Sequence, residues 1–321
     1  MTREIVARQC GEPPAGMQGD AHSLAWCVDG KLALGSTDGW VSLWDVDSHG
    51  TCRVKSSVVV HDGKKCVEGL ACHPFDKNQL ATCCGDKSLK IWDLRSQGSP
   101  AQAHSADGET MNIHYSPDGR YIAMGSIKRA TENSSEADII GIYDVRTQKR
   151  LKSMKFDVEV TDFRWSPNGQ YIINSTAKGY MEINMVHAPR SMSRVRKYVA
   201  HAGSCQGMAL DPFSRFLACG GSEGLVSLWE LGDFVCVRTI EGIEAGIRAL
   251  TFSHDGQFLA IASHAKDIQV ADVGTGALAS SIDLGTSCSA LEWHLKRPII
   301  AGVVSPRTSR DSGLRVWSLQ Y

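Results

Sequence analysis

The chain repeats one short pattern seven times, and this repetition constrains the fold more than any other feature. In each copy, an apolar strand leads into a turn, most often one that contains Pro, Asp or Gly. The copies are AWCVDG at Trp26, ACHPFD at Cys72, HYSPDG at Tyr115, RWSPNG at Trp165, ALDPFS at Leu210, TFSHDG at Phe252 and EWHLKRP at Trp293. They recur every 41 to 50 residues, a period that indicates a repeat architecture.

Each copy is followed by further strand-like segments, so one unit holds up to four strands. In the second unit the turn leads to LATCC and then to LKIWDL, and in the fifth unit a fourth segment, VCVRTI, follows the third. Short strands joined by Asp, Gly or Pro turns form an antiparallel meander. Such a sheet has two faces to cover, and a radial arrangement covers both and leaves only short edges. The sequence therefore predicts an all-β fold, a seven-bladed β-propeller.

We expect residues 1–321 to form a single propeller domain. The predicted blades are approximately 22–60, 61–103, 104–154, 155–199, 200–240, 241–283 and 284–321 together with 3–8. The seventh unit ends with its third strand, so its outer strand has to come from elsewhere. The segment REIVAR, Arg3–Arg8, has the alternation of a strand. Its pairing with the last blade would close the ring and remove an open edge, and a frayed tail is the alternative.

Composition and charge exclude several classes of protein. Lys and Arg total 34 and Asp and Glu total 35, and a chain without excess positive charge is not a strong non-specific nucleic-acid binder. The N-terminal segment lacks the apolar region of a signal peptide, and no apolar run is long enough for a transmembrane helix, so we expect no membrane association. The 11 cysteines lack framework spacing. We therefore expect free thiols in a reducing compartment, the cytosol or the nucleus.

Three tripeptides resemble the signature of the WD-repeat family: LWD at Leu43–Asp45, IWD at Ile91–Asp93 and LWE at Leu228–Glu230. The resemblance implies a hydrogen-bond chain within a blade, from a Trp on the third strand through a Ser or Thr and an upstream His to an acidic residue in a turn. The matching residues are Trp92, Thr82, His61 and Asp86 in blade two, Trp44, His22 and Asp38 in blade one, and Trp229, His201 and Glu223 in blade five.

A Thr–His–Asp group also contains the residue types of a hydrolase triad, so catalysis is the alternative to a structural role. A working triad needs an exposed hydroxyl beside an oxyanion site, whereas this hydroxyl is predicted on an internal strand. The set recurs in several blades, as a structural element does and a single active site does not. Because a fully paired buried network makes a fold rigid, we expect these residues to stabilise the blades.

No other motif indicates chemistry. The Cys and His residues lack the paired spacing of zinc sites, and the consecutive Cys83 and Cys84 face opposite sides of a sheet. There is no phosphate-binding glycine loop and no GxSxG motif. We expect no enzyme activity, no cofactor and no bound metal. Blades three, four, six and seven depart from the pattern, as at Tyr143, Asn184 and Ala271, and we expect them to rely on apolar packing.

Two surface features remain. The segment between the second and third strands of blade three, residues 127–138, is polar and is predicted to be a mobile loop. Basic residues cluster on the outer parts of blades three and four: Lys149, Arg150, Lys152, Arg190, Arg194, Arg196 and Lys197. They could form one positive face for RNA phosphates or an acidic partner. The alternative is a solvated outer edge, where Lys and Arg discourage pairing between sheets.

Segments in the later blades indicate which family of WD-repeat proteins the chain resembles. Gly224–Ile240, Ile247–Ala277 and Leu291–Gly302 are similar to the last three blades of the THO complex subunit 3 family, and Met111–Gly125 resembles its third blade. The resemblance implies a nuclear, non-catalytic scaffold of the THO complex, the core of the TREX assembly that couples transcription to mRNP assembly and mRNA export. It also implies packing against large helical THO subunits and, indirectly, a DEAD-box RNA helicase. The alternative is another nuclear WD-repeat scaffold, either a spliceosomal or a histone- or peptide-binding propeller.

Overall fold

The computed structural model describes residues 6–9, 19–47, 52–59, 61, 65–95, 100–106, 108–128, 137–187, 191–305 and 313–320. These residues form 28 strands and contain no helix. No part of this described chain is therefore a helix that could cross a membrane.

The strands form seven separate four-stranded sheets. Blade one contains β2 (Ala21–Trp26), β3 (Lys31–Ser36), β4 (Trp40–Val46) and β5 (Cys52–Val59). Blade two contains β6 (Val67–Cys72), β7 (Gln79–Cys84), β8 (Ser88–Asp93) and β9 (Gln102–Ser105). Blade three contains β10 (Glu109–Tyr115), β11 (Tyr121–Lys128), β12 (Ala137–Asp144) and β13 (Lys149–Phe156). Blade four contains β14 (Val160–Trp165), β15 (Tyr171–Thr176), β16 (Tyr180–His187) and β17 (Ser191–Val199).

The remaining blades continue the pattern. Blade five contains β18 (Cys205–Leu210), β19 (Phe216–Gly221), β20 (Val226–Glu230) and β21 (Val235–Ile240). Blade six contains β22 (Ile247–Phe252), β23 (Phe258–Ser263), β24 (Asp267–Asp272) and β25 (Leu278–Asp283). Blade seven contains β26 (Cys288–Trp293), β27 (Ile299–Val304), β28 (Leu314–Gln320) and β1 (Val6–Gln9). The predicted seven-bladed propeller is confirmed.

The ring closes through the N-terminal strand, as predicted. β1 pairs with β28 antiparallel, from Val6 opposite Gln320 to Gln9 opposite Trp317. The paired strand lies a few residues later than the expected Arg3–Arg8, and residues 3–5 are outside the described part of the chain. The first strands of neighbouring blades also contact one another around the whole ring, with β26 meeting β2. These first strands therefore form the innermost layer, around the central channel.

The hydrophobic core lies between the blades. Seven clusters of buried side chains each join two neighbouring sheets. At the junction of blades three and four, for example, Phe163 from β14 is fully buried against Ile140 from β12. Burial of one large apolar side chain contributes about 1.5–3 kcal/mol. Because each blade covers the face of the next, the closed ring is stabilised where a single sheet would not be.

The turns between second and third strands also tie neighbouring blades together. Gly39, in that turn of blade one, has a φ of +87°, a conformation that a side chain would strain. A Cβ at Gly39 would lie 2.7 Å from the carbonyl oxygen of His61, which precedes blade two. The backbone N–H of His61 in turn donates to the Gly39 carbonyl at 3.2 Å. Only glycine allows this close approach, which fixes the backbone around His61.

The expectation that every cysteine is a free thiol is wrong for one pair. Cys27 and Cys72 form a disulfide between blades one and two, with their Cα atoms 5.1 Å apart. Cys27 directly follows β2, and Cys72 ends the neighbouring innermost strand β6, so ring closure places them side by side at a distance normal for a disulfide. The free cysteines in the described ranges are Cys52, Cys66, Cys83, Cys84, Cys205, Cys219, Cys236 and Cys288.

Candidate functional site

The polar residues predicted for blade two come together in one buried chain. The indole Nε1 of Trp92 donates to Oγ1 of Thr82 at 2.9 Å, and that oxygen lies 3.0 Å from Nε2 of His61. The other ring nitrogen of His61, Nδ1, lies 3.1 Å from the Asp86 carboxylate. Burial acts to raise the pKa of Asp86, but hydrogen bonds from Ser88 and His61 outweigh it and hold that pKa below its ordinary value.

The geometry of this chain suits structure rather than catalysis. Asp86 only accepts hydrogen bonds, so Nδ1 of His61 carries the proton and Nε2 accepts from Thr82. The Thr82 hydroxyl therefore accepts from the indole and donates to the imidazole. Thr82 has no exposed surface, and His61 is 1% exposed. No substrate can reach a hydroxyl in this position.

Blade five builds a similar chain from a different hydroxyl. Nδ1 of His201 lies 2.6 Å from Glu223, and Nε2 lies 3.0 Å from Oγ of Ser227, which accepts from the indole of Trp229 at 2.9 Å. Cys219 occupies the second-strand place that Thr82 has in blade two, so the hydroxyl comes from the third strand instead. Sequence reasoning missed Ser227, although the tripeptide SLW in blades one and five carries the signal.

Blade one does not bring its three predicted residues together. Trp44 donates to Ser42 at 2.7 Å, and Asp38 accepts from Ser36 at 2.7 Å. His22 instead lies 3.2 Å from Glu68 of blade two. The reason is position: His22 is the second residue of strand β2, whereas the His of blades two and five lies in the connection before the first strand.

Blade four replaces the Trp–Thr pair with two amides. Nδ2 of Asn184 donates to Oδ1 of Asn174 at 2.6 Å, and neither residue has exposed surface. The remaining buried amide atoms, Nδ2 of Asn174 and Oδ1 of Asn184, make no hydrogen bond. A blade that was expected to rely on apolar packing therefore retains a polar link between its second and third strands.

The outer strands of blades three and four carry the predicted basic residues. β13 and β17 contact each other, and Lys149, Lys152 and Arg196 are exposed while Arg150 is half-buried. Arg190 lies outside the described residues. The basic residues of the two blades thus lie on adjacent outer strands of the ring.

Two of these basic residues pair with a carboxylate of blade four. Arg194 Nη1 lies 3.1 Å from the carboxylate of Glu182, and Lys197 Nζ lies 3.8 Å from it. The Glu182 side chain is only 4% exposed. Lys197 also lies over the ring of Tyr180, 3.6 Å from its centroid. Part of the positive charge on this face therefore compensates a buried carboxylate.

The central channel contains charged residues that sequence reasoning did not identify. Nη1 of Arg164 donates to Asp162 at 2.6 Å and to Nε2 of His114 at 2.8 Å. The second carboxylate oxygen of Asp162 accepts from the backbone N–H of Met208 in blade five at 3.0 Å. Burial, followed by the charge of Arg164, holds the pKa of His114 well below its ordinary value. This cluster links three successive blades.

A second channel group lies where blades seven and one meet. The carboxylate of Glu292 accepts from the backbone N–H of Trp26 at 3.2 Å, and the Trp26 indole donates to the Glu292 carbonyl at 3.3 Å. Burial raises the pKa of Glu292 from 4.5 to about 7, against the lowering effect of the Trp26 hydrogen bond. Glu292 and Arg164 line one cavity of about 320 Å³. The channel is therefore polar and holds both signs of charge.

Comparisons with known proteins agree with the blade structure. A family model described as "WD domain, G-beta repeat" matches residues 15–45, 52–93 and 192–230. A second, the "Anaphase-promoting complex subunit 4 WD40 domain", matches residues 228–296. Both descriptions are of WD-repeat domains. The three matches of the first model end at the Trp-containing third strands of blades one, two and five, and the match of the second model covers blade six.

Two relatives match almost the whole chain. "WD repeat-containing protein AAC3" from Dictyostelium discoideum is 27% identical over 319 residues, which cover 92% of this chain and 64% of that protein. "THO complex subunit 3" from Arabidopsis thaliana is 32% identical over 297 residues, which cover 91% of this chain and 90% of that protein. A more distant relative, "Mitotic checkpoint protein BUB3.1" from the same plant, is 25% identical over 62% of this chain. The chain belongs to the THO complex subunit 3 family of WD-repeat propellers.

Proposed function

We propose that this protein is a non-catalytic scaffold subunit of a nuclear THO complex. The observation that carries the proposal is the similarity to "THO complex subunit 3" from Arabidopsis thaliana, which extends over 91% of this chain and 90% of that protein. Because the similar region covers nearly all of both proteins, the similarity extends over the whole ring and is not limited to one repeated blade. In this role the protein takes part in coupling transcription to mRNP assembly and mRNA export.

The arrangement of polar residues supports a binding role over a catalytic one. The hydroxyls of Thr82 and Ser227 are buried within their blades and are already hydrogen-bonded. The cysteine thiols support the same conclusion, because burial raises the pKa of Cys83 and of Cys288 to about 12 and keeps both protonated. A protonated, buried thiol is a poor nucleophile. We propose that the ring binds its protein partners through its outer surface.

The partners that we propose are large helical THO subunits and, through the assembled complex, a DEAD-box RNA helicase and mRNP. The basic face of blades three and four is the candidate contact for an acidic partner surface or for RNA phosphates. Lys149, Lys152 and Arg196 are the exposed residues that would serve this contact. Arg194 and Lys197 would contribute less, because Glu182 shares their charge.

The proposal is tested by affinity purification of the tagged, full-length protein from cells, followed by mass spectrometry. We expect long helical THO subunits and a DEAD-box RNA helicase, recovered also after nuclease treatment because the contacts are between proteins. Recovery of spliceosomal proteins or histones without any THO subunit would reject the proposal. A matched control is the variant Lys149→Glu, Lys152→Glu, Arg196→Glu, which separates a contact at the basic face from contacts elsewhere.

A further inference from the structure

The described residues contain three groups of side chains that could ligate a metal ion, and one of them differs from the other two. In each group the ligand atoms lie within 4.8 Å of one another: His22 with Cys66 and Glu68, His61 with Cys84 and Asp86, and His201 with Cys205 and Cys219. His61 and His201 use both ring nitrogens in the buried blade networks. Those two groups therefore belong to the structural chains of blades two and five.

The group of His22, Cys66 and Glu68 is open to solvent. The side chains of His22 and Glu68 are 43% and 33% exposed, and their closest atoms, Nε2 and a carboxylate oxygen, are 3.2 Å apart. The Cys66 thiol is half-buried, and its sulfur lies within 4.8 Å of the ligand atoms of His22 and Glu68. Only one ring nitrogen of His22 has a partner here, and that partner is Glu68 itself. An ion can therefore reach these three atoms from solution.

The three residues are held in place by rigid elements. His22 is the second residue of β2, and Glu68 is the second residue of the neighbouring innermost strand β6. Cys66 directly precedes β6 and, two positions from Glu68, projects to the same side. The Cys66 carbonyl also accepts from the N–H of Gly85, which fixes the start of the strand. Ligands on strands hold their geometry better than ligands on loops.

We propose that His22, Cys66 and Glu68 form a Zn²⁺ site where blades one and two meet at one mouth of the channel. A nitrogen, a sulfur and an oxygen ligand suit Zn²⁺, whereas Ca²⁺ and Mg²⁺ prefer oxygen ligands alone. Three protein ligands leave one tetrahedral position for water or for a side chain of a partner. On binding, the thiol of Cys66 releases its proton to solvent, and the thiolate and the Glu68 carboxylate coordinate the ion.

The test uses the full chain, freed of metal with a chelator and divided into two samples, one titrated with Zn²⁺ and the other with Co²⁺, because Co²⁺ binds more weakly and would not displace Zn²⁺. We expect one ion per chain, a sulfur-to-cobalt charge-transfer band, and a higher melting temperature with Zn²⁺, because an ion that binds the folded state stabilises it. Cys66→Ser should abolish the band. Glu68→Gln and His22→Gln should each weaken Zn²⁺ binding by more than the roughly 10–100-fold that loss of an outer-shell partner costs.

Two control variants should leave binding unchanged: Cys236→Ser, at an exposed thiol outside the group, and His264→Gln, at an exposed histidine. The proposal is overturned if the unaltered chain does not bind one ion per chain. It is also overturned if the cobalt band persists in Cys66→Ser. If Cys66→Ser does not fold, Glu68→Gln decides, and an undiminished affinity in that variant overturns the site.

Discussion

The indole of Trp92 donates to the hydroxyl of Thr82 at 2.9 Å, and the same hydroxyl lies 3.0 Å from Nε2 of His61. One buried oxygen thus serves two partners, from the third strand of blade two and from the connection before its first strand. Thr82→Val keeps the shape of the side chain but leaves both partners unpaired. A buried group without a partner costs about 1–3 kcal/mol.

We therefore expect Thr82→Val to lower the free energy of unfolding by about 1–3 kcal/mol or more, measured by urea denaturation. The matched control is Thr239→Val, at an exposed position on β21, where the change should stay within about 0.5 kcal/mol. Equal stability of the two variants would show that the blade-two chain contributes nothing to the fold.

The amide pair of blade four should show coupling. Asn174→Leu alone removes the 2.6 Å hydrogen bond of the Asn184 amide, which then keeps only a 3.4 Å bond to the Ile172 carbonyl, and Asn184→Leu alone removes the side-chain partner of the buried Asn174 amide. In the double variant no amide is left without its partner. We expect the double variant to be less destabilised than the sum of the singles, with a coupling energy of about 0.5–3 kcal/mol. Additive single effects in a double-mutant cycle would contradict this.

The basic face contains cations that pair with the buried Glu182 carboxylate and cations that are exposed to solvent. Replacing both Arg194 and Lys197 with Ala leaves the buried carboxylate of Glu182 without its cations, and we expect a loss of about 1–3 kcal/mol of stability. Replacing Lys149 and Lys152 with Ala should change stability by no more than about 0.5 kcal/mol, because both are exposed. Thermal or urea unfolding of the two double variants measures the difference. Restoration of stability on adding Glu182→Gln to the first variant would confirm the cause.

Glu292 should make stability depend on pH. Its pKa is about 7 in the folded protein, raised by burial from 4.5, so the folded state holds the proton more tightly than the unfolded state. Stability from this group is complete below about pH 4.5 and falls as the pH rises to about 7. His294 acts in the opposite direction, since burial lowers its pKa from 6.5 to about 4, and its contribution to stability is lost as the pH falls through that range.

Comparison with Glu292→Gln isolates the carboxyl group, because Gln resembles the protonated acid and does not titrate. We expect the stability of this variant relative to the unaltered protein to increase from about pH 4.5 to about pH 7 and to stay constant above it. Urea denaturation across this range measures the difference. A difference that does not vary with pH would show that Glu292 keeps an ordinary pKa in the folded state.

The repeat and its period were sufficient to predict seven blades and the closing strand, because each strand can be recognised from its own short apolar segment and the turn residues beside it. The same local pattern failed at His22, since a His near the start of a blade can lie either in the first strand or in the connection before it. Ser227 shows a second limit of prediction from the sequence. The hydroxyl that contacts the histidine imidazole can come from the second or the third strand of a blade, because both strands lie close enough to it.

The channel residues could not be predicted at all. Asp162 meets the backbone of Met208, and Glu292 meets that of Trp26, at separations of 46 and 266 residues. Each pair joins two neighbouring blades and forms only once their packing fixes the relative rotation of the blades, and the pair of Glu292 and Trp26 also requires the ring to close. The same is true of His22 and Glu68, whose approach across two blades has no sequence signature.

Reconstitution tests the central claim most directly. The purified chain is mixed with purified large helical THO subunits, and the mixture is separated by size-exclusion chromatography, with an unrelated seven-bladed propeller of similar size as the control. We predict that this chain co-elutes with the THO subunits in a fixed ratio and that the control propeller elutes alone. Separate elution of this chain, while it remains folded by circular dichroism, would contradict its assignment as a THO scaffold.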